Sequence, residues 1–316
     1  MTQRAAVATE GATAARLPDG AGRQRRGAKQ NLIGWSFALP FLVLFAVFVA
    51  GPILASLGMS FTDMRIADIR NPFAVDIVGF ENYAALFQDE RFLRAAANTA
   101  YFVVVAMPLT MAAGLAIALG LNQAIVKFRT VFRVGFYLPV VASVVAISVV
   151  WRLILNEETG LINGILGVFG IDGPGWLTTP ELAMPSIIAM TVWRNLGYQM
   201  VIFLAGLQAI PLMLYEAADI DGANRWAKFR YVTLPLLRPT LLFSAVITLI
   251  GYLQFFEEPF VMTEGGPLDA TLSVSMYVIN QFGFGNYGYA ASISYVLFLA
   301  IAVLTFIVFR FLRPQD

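Results

Sequence analysis

Six long apolar runs constrain this chain more than any other feature. They fall near residues 32–61, 95–121, 131–155, 182–208, 240–262 and 289–311. Each can cross a hydrocarbon layer of about 30 Å as a helix of about 20 residues. Lipid offers no water to backbone N–H and C=O groups, so spanning segments must be helices or a closed barrel. A barrel would need short segments of alternating polarity, and these runs do not alternate. The expectation is an all-α integral membrane protein with six transmembrane helices. Pro40, Pro52, Pro108, Pro139 and Pro185 fall inside or at the edges of the runs. Membrane helices tolerate such breaks where neighbours satisfy the freed carbonyls. Composition agrees: charged residues are 13% of the 316, against about 25% in ordinary soluble domains, and mean hydropathy is +0.72.

Residues 1–30 read differently, being rich in Ala, Gly and Arg with almost no large apolar side chain. Such a segment cannot bury a core, so a disordered tail is expected there, with the membrane domain over 31–316. A signal peptide does not fit, because the polar lead and the apolar run behind it are both too long. Lys and Arg orient the spans. Six lie in the tail, three between the second and third runs (Lys127, Arg129, Arg133), and four between the fourth and fifth (Arg225, Lys228, Arg230, Arg238). Arg310 and Arg313 close the chain, while the opposite loops hold only Arg65, Arg70, Arg91, Arg94 and Arg152. The positive-inside bias therefore places both termini in the cytoplasm.

Several functions are excluded. A net charge of +1 offers no basic surface for nucleic acid. Cys and His are absent, which removes disulfides, thiol nucleophiles, Cys/His metal sites and the usual general base. No lysine completes a G-x-x-x-x-G-K-[ST] phosphate loop, so ATP hydrolysis by that route is out. A G-x-S-x-G elbow is missing too. Glu157 and Glu158 read as an interfacial loop rather than a catalytic pair.

One polar stretch interrupts the fourth and fifth runs: YEAADIDGANRWAKFRYVTLPLLRP, residues 215–239. Pro211 suits the start of a helix, and residues 212–220 have helical composition with Glu216, Ala217 and Ala218 on adjoining faces. Gly222 can bend the chain. Residues 223–233 form a second short helix, with Trp226, Phe229, Arg230 and Thr233 at helical spacing, and Pro235 is expected to end it. Helix physics alone leaves an amphipathic interfacial linker and a docking site both open.

The spacing Glu216-Ala217-Ala218, Gly222, Val232, Leu234-Pro235 resembles the signature loop of binding-protein-dependent ABC importer permeases. The usual Ile is Val here. The stretch from Asp221 to Phe229 resembles the carbohydrate-uptake branch of the maltose, lactose and glycerol-phosphate type. Residues 78–87, Asn98-Thr99, Phe136 to Pro139, residues 196–211 and TEGGPLDAT at 263–271 are similar to that branch as well. The resemblance spans about residues 32–312.

This resemblance implies a type I importer fold in which residues 209–239 carry a cytoplasmic coupling helix that docks on an ATPase subunit. Glu216 would pair with a basic residue there, Ala217 and Ala218 would permit close packing, and Gly222 the bend; Asp221, Trp226 and Phe229 belong to the same surface. It implies a second permease subunit of a different sequence, two ATPase subunits that use ATP and Mg, an external solute-binding protein and a prokaryotic cytoplasmic membrane. The chain itself binds no cofactor or metal on this reading. Positions matching the maltose-type solute site are Trp193, Leu196, Gly197 and Met200 on the fourth span, Tyr252 and Phe255 on the fifth, and Ser143 on the third. Where that permease uses Asn on the fifth helix, this chain has aromatics. Asn195 and Gln254 are polar neighbours.

Arg194 lies about ten residues into its span, roughly 15 Å deep at 1.5 Å per residue. A charge there is paired or faces a cavity, and Glu257 or Glu258 is the expected partner. The reading is a permease subunit for a di- or oligosaccharide importer. Glycerol-phosphate or polyol uptake is the alternative. A secondary transporter would need a deep coupling acid and internal repeats, and a membrane enzyme would need a catalytic group; neither is found in the sequence.

Overall fold

The computed structural model describes residues 35–71, 75–123 and 128–312. The tail expected over 1–30 lies outside the described residues. These residues contain helices and no strand, only an isolated bridge between Thr62 and Ile77. The chain divides after Ala55 into two units.

The first unit carries most of α1 (Trp35–Met59). One π turn, Ala46–Ala50, is closed by the Gly51 N–H on the Ala46 carbonyl, and Pro52 stands two residues beyond it. A proline lacks the N–H and its ring presses on the carbonyl four residues back. Widening the preceding turn accommodates the ring without ending the helix.

In the second unit, α2 (Glu81–Leu86) and α3 (Glu90–Asn122) are followed by α4 (Arg129–Val141), α5 (Val144–Ile154) and α6 (Leu161–Val168). Next come α7 (Pro180–Gln208), α8 (Leu212–Ile220), α9 (Arg225–Leu236) and α10 (Arg238–Leu253). Three helices complete it: α11 (Glu257–Met262), α12 (Val274–Gly283) and α13 (Tyr287–Leu312).

The unit is built on the long contact between α3 and α7. Buried residues of α3 recur every three or four positions, from Phe92, Ala95 and Thr99 through Ala106 and Gly114 to Leu121, which is one face of a helix. The small ones let α7 approach: a Cβ on Gly114 would fall onto Gln199. Such approach supplies packing where lipid gives helices no hydrophobic drive. Gln199 is itself buried, donating to Thr248 and accepting from Ser244 on α10. Phe102, Ile187, Met190, Leu249, Tyr252 and Phe255 form the central core.

Four helices, α1, α3, α7 and α13, are long and apolar enough to cross a membrane; α4–α5 and α9–α10 pass as bent pairs, giving up to six. The third run is therefore not one straight span. Pro139 sits inside the last turn of α4, Ala142 is extended at ψ 148°, and α5 leaves at 96°. The fifth run also stops early. Beyond α10, Gln254 and Phe256 leave helical geometry, and Phe255 stacks on Phe102 at 3.9 Å and 6°. Pro235 does not end the second loop helix. A π turn, Phe229–Thr233, again precedes the proline by two residues, so α9 reaches Leu236 and the 65° bend comes after it.

Candidate functional site

The loop between α7 and α10 is built by local rules. Pro211 is extended at φ −60° and ψ 131°, and α8 starts behind it. At the other end Gly222 takes φ +73°. The Ala223 N–H reaches the Ala218 carbonyl at 2.9 Å, and the Gly222 N–H reaches Asp219 at 3.0 Å. This pair of bonds is the Schellman cap, which a left-handed glycine permits. A Cβ on Gly222 would meet nothing within 4 Å, so glycine is required here by dihedral angle rather than by space. Asn224 then caps α9 by accepting from the Ala227 N–H at 2.8 Å, so the second helix starts at Arg225 rather than 223. An ion pair between Lys228 and Asp219 and a bond between Tyr215 and Thr233 hydroxyls at 2.9 Å fix α8 against α9.

No residue of α8 is buried. Leu212, Met213 and Ile220 are 69%, 68% and 88% exposed, a cluster of bare apolar side chains that soluble surfaces avoid and interaction sites use. Glu216, Ala217, Asp221, Gly222 and Trp226 are exposed beside them, with Ala218 and Phe229 half-buried. The Glu216 carboxylate makes no hydrogen bond or ion pair among the described residues.

The solute candidates separate into two groups. Trp193 and Leu196 line an apolar cavity of about 630 Å3 with Phe132, Phe136, Pro139 and Ala142, in the crook of the α4–α5 break. Ser143 is exposed at the break itself, and Trp193 is tilted against Trp151 at 5.7 Å. Gly197 sits under the α4 backbone, where a Cβ would fall onto the Phe136 carbonyl. Met200, Tyr252 and Phe255 belong instead to the packed interior. Tyr252 bonds the Thr110 hydroxyl at 2.9 Å, and Phe255 is committed to its stack on Phe102. Gln254 is exposed and borders a different cavity, of about 450 Å3, toward α12 and α13. The Asn195 amide is turned back to the Thr191 carbonyl at 3.0 Å.

The expected pairing of Arg194 is not a direct ion pair, although Arg194 and the buried Glu258 lie within Coulombic reach of each other. Neither Glu257 nor Glu258 lies within 4 Å of its guanidinium; the ion pairs among the described residues are Arg91–Asp269 and Lys228–Asp219. Arg194 Nη1 reaches only Asn195 Oδ1 at 3.4 Å, and its buried Nε has no partner. The helix is interrupted at Gln254 and Phe256 before it reaches the two acids.

Residues 20–315 match the family of binding-protein-dependent transport system inner membrane components. The chain belongs to that family. Its relatives include the lactose transport system permease protein LacF of Rhizobium radiobacter, 38% identical over 89% of this chain and 94% of that protein. The trehalose/maltose transport system permease protein MalF of Thermococcus litoralis is 34% identical over 88% and 93%. Among solved structures, a chain of a bacterial ABC transporter involved in the import of the acidic polysaccharide alginate matches at a TM-score of 0.79 and 26% identity, covering 92% of this chain and 98% of that one.

At the end of the permease opposite α8, a polar network holds the loops in place. Asp89 caps α3, accepting from the Arg91 N–H at 3.0 Å and the Phe92 N–H at 3.3 Å. Its other oxygen accepts from Tyr277 of α12 at 2.5 Å and Tyr289 of α13 at 2.7 Å. Burial works against the charge, but these four bonds outweigh it and hold the Asp89 carboxyl below the usual carboxylate range. Beside it, Arg91 binds Asp269 through two bonds of 2.8 and 2.9 Å, and Arg94 donates to the Leu268 carbonyl at 2.9 Å. Leu268 and Asp269 both have positive φ, a strained turn that these bonds hold. The capping rule flags Asp89 in sequence; its two tyrosine partners, 188 and 200 residues away, carry no local signal.

Proposed function

We propose that this permease forms half of the pore of an ATP-driven, binding-protein-dependent sugar importer. Its six spans count each bent pair as one crossing, and α8 is the cytoplasmic coupling helix. Two separate ATPase subunits hold ATP and Mg, a second permease of different sequence completes the pore, and an external binding protein delivers a di- or oligosaccharide. The complex lies in a prokaryotic cytoplasmic membrane with both termini inside. The absence of any buried residue in α8, with Leu212, Met213 and Ile220 bare, carries the coupling assignment: exposed apolar side chains of this kind mark a surface that another protein covers. The lactose and trehalose/maltose names of the relatives support a sugar as solute, and the polar surface of Glu216 and Asp221 suits a basic ATPase cleft.

The test is ATPase stimulation of the purified complex by its binding protein, across lactose, trehalose, arabinose oligosaccharides and glycerol 3-phosphate. Deleting residues 219–224 should abolish stimulation while the permease still assembles. Stimulation that survives the deletion would refute the coupling assignment, and a response to glycerol 3-phosphate alone would refute the sugar.

A further inference from the structure

A polar cavity of about 600 Å3 opens at the end of the permease opposite α8, lined among others by Arg152, Glu157, Glu158, Trp176, Thr178 and Glu264. Its walls are fixed from behind. The Trp176 indole donates to Asn163 Oδ1 at 2.7 Å, while Asn163 Nδ2 donates to the carbonyls of Glu157 at 3.0 Å and Pro174 at 3.1 Å. Thr178 donates to Glu157 Oε2 at 2.7 Å. Gly173 and Gly175 leave no room for a side chain, since a Cβ on either would fall onto Asn163 or Thr178. The indole therefore cannot swing away without breaking this network.

What remains unspent faces the cavity. Among the described residues the carboxylates of Glu158 and Glu264 make no hydrogen bond, and Arg152 makes one at 3.4 Å to the Val261 carbonyl. A rigid aromatic ring, free carboxylates and a guanidinium surround a volume within the range of small-ligand sites. No group of acids placed to hold a metal ion occurs among the described residues. We infer that this cavity is an outer saccharide subsite, with a sugar ring on Trp176 and its hydroxyls bonded to Glu158, Glu264 and Arg152. Carboxylates accept strongly from hydroxyl donors, and three of them against one guanidinium repel an acidic sugar. The class is thus a neutral saccharide, in contrast to the alginate of the structural relative. This inference rests on the sugar-importer reading.

The experiment is saturation-transfer NMR on the full complex in lipid nanodiscs, with lactose, trehalose and trigalacturonate as probes, beside uptake of the same sugars by cells. Lactose or trehalose should give signal and trigalacturonate none. The E158Q/E264Q double variant, in which neither side chain supports the fold, should weaken binding about tenfold. Trp176→Phe should retain it, since the ring stays. A signal unchanged in E158Q/E264Q, an equal signal from trigalacturonate, or uptake without any neutral-sugar signal would each overturn the subsite alone. Absence of uptake for every saccharide would overturn the sugar reading itself.

Discussion

Replacing Asp89 should destabilise the end of the fold opposite α8 more than any other single polar change there. The carboxylate closes the first turn of α3 and ties α12 and α13 to it through two tyrosine hydroxyls. In Asp89→Ala the cap is lost, at about 1 kcal/mol, and so are two charge-assisted bonds at about 1.5–3 kcal/mol each. Asp89 is half-buried, so water recovers part of this, and the expected total is about 2–4 kcal/mol. Asp89→Asn keeps one oxygen for the backbone and should cost about half as much. Tyr289→Phe removes one bond and should cost about 1–2 kcal/mol. The larger loss in Asp89→Ala than in either milder variant can be read from unfolding of purified permease in mixed micelles, followed by far-ultraviolet circular dichroism. The pH profile gives an independent check. The Asp89 carboxyl lies below its unfolded value, so its stabilisation is present above about pH 4 and fades as pH falls through the folded value. Tyr277 is pushed up to about 12 by burial and by the neighbouring Asp89 carboxylate. Its contribution is full below its unfolded value of about 10 and is lost as pH rises toward 12. Asp89→Ala within about 0.5 kcal/mol of wild type, or an unchanged acid limb in Asp89→Asn, would refute the network as a support.

Three further outcomes follow from the geometry. Gly197→Ala should cost about 1–3 kcal/mol and lower the yield of folded permease, because the Phe136 carbonyl it would meet is backbone and cannot rotate away. Gly222→Ala should cost only about 1 kcal/mol of left-handed strain, yet reduce ATPase stimulation by disturbing the end of α8; equal losses in both measurements would argue against a coupling role. Arg91→Gln and Asp269→Asn should each cost under about 1 kcal/mol, and the double variant no more than the worse single one; full additivity in a thermal unfolding cycle would show that the pair does not act as a unit.

The membrane class, most span positions and the loop were legible because they rest on local signals. Apolar length marks α1, α3, α7 and α13, and the caps at Asp89, Gly222 and Asn224 follow from residue type at helix ends. What the sequence conceals is how prolines act in context. Pro235 looks like a terminator and Pro139 like one more tolerated break. The π turn before Pro235 carries the helix onward, while α4, with Pro139 in its last turn, gives way to α5 at 96°. The difference lies in the flanking turn: a π turn stands two residues before Pro52 and Pro235, whereas Pro139 is followed by the extended Ala142.

The solute path was less legible for a related physical reason. Trp193, Met200, Tyr252 and Phe255 are all large side chains in apolar runs, and periodicity assigns them equally to a wall or a core. The partner decides. Tyr252 and Phe255 each find one in α3, the Thr110 hydroxyl and the Phe102 ring, and are spent on packing. Trp193 tilts against Trp151 and remains 42% exposed beside the α4–α5 cavity. The same criterion separates the charges. Arg91 and Lys228 have acids in contact, whereas Arg194 keeps a buried Nε without one, on the same helix as the cavity-lining Trp193 and Leu196. A charge inside a span with an acid only at Coulombic range is costly and persists where another state, a second subunit or a solute completes it. The side chains that the fold leaves unspent, rather than those with the most suggestive chemistry, are therefore the ones to test for transport.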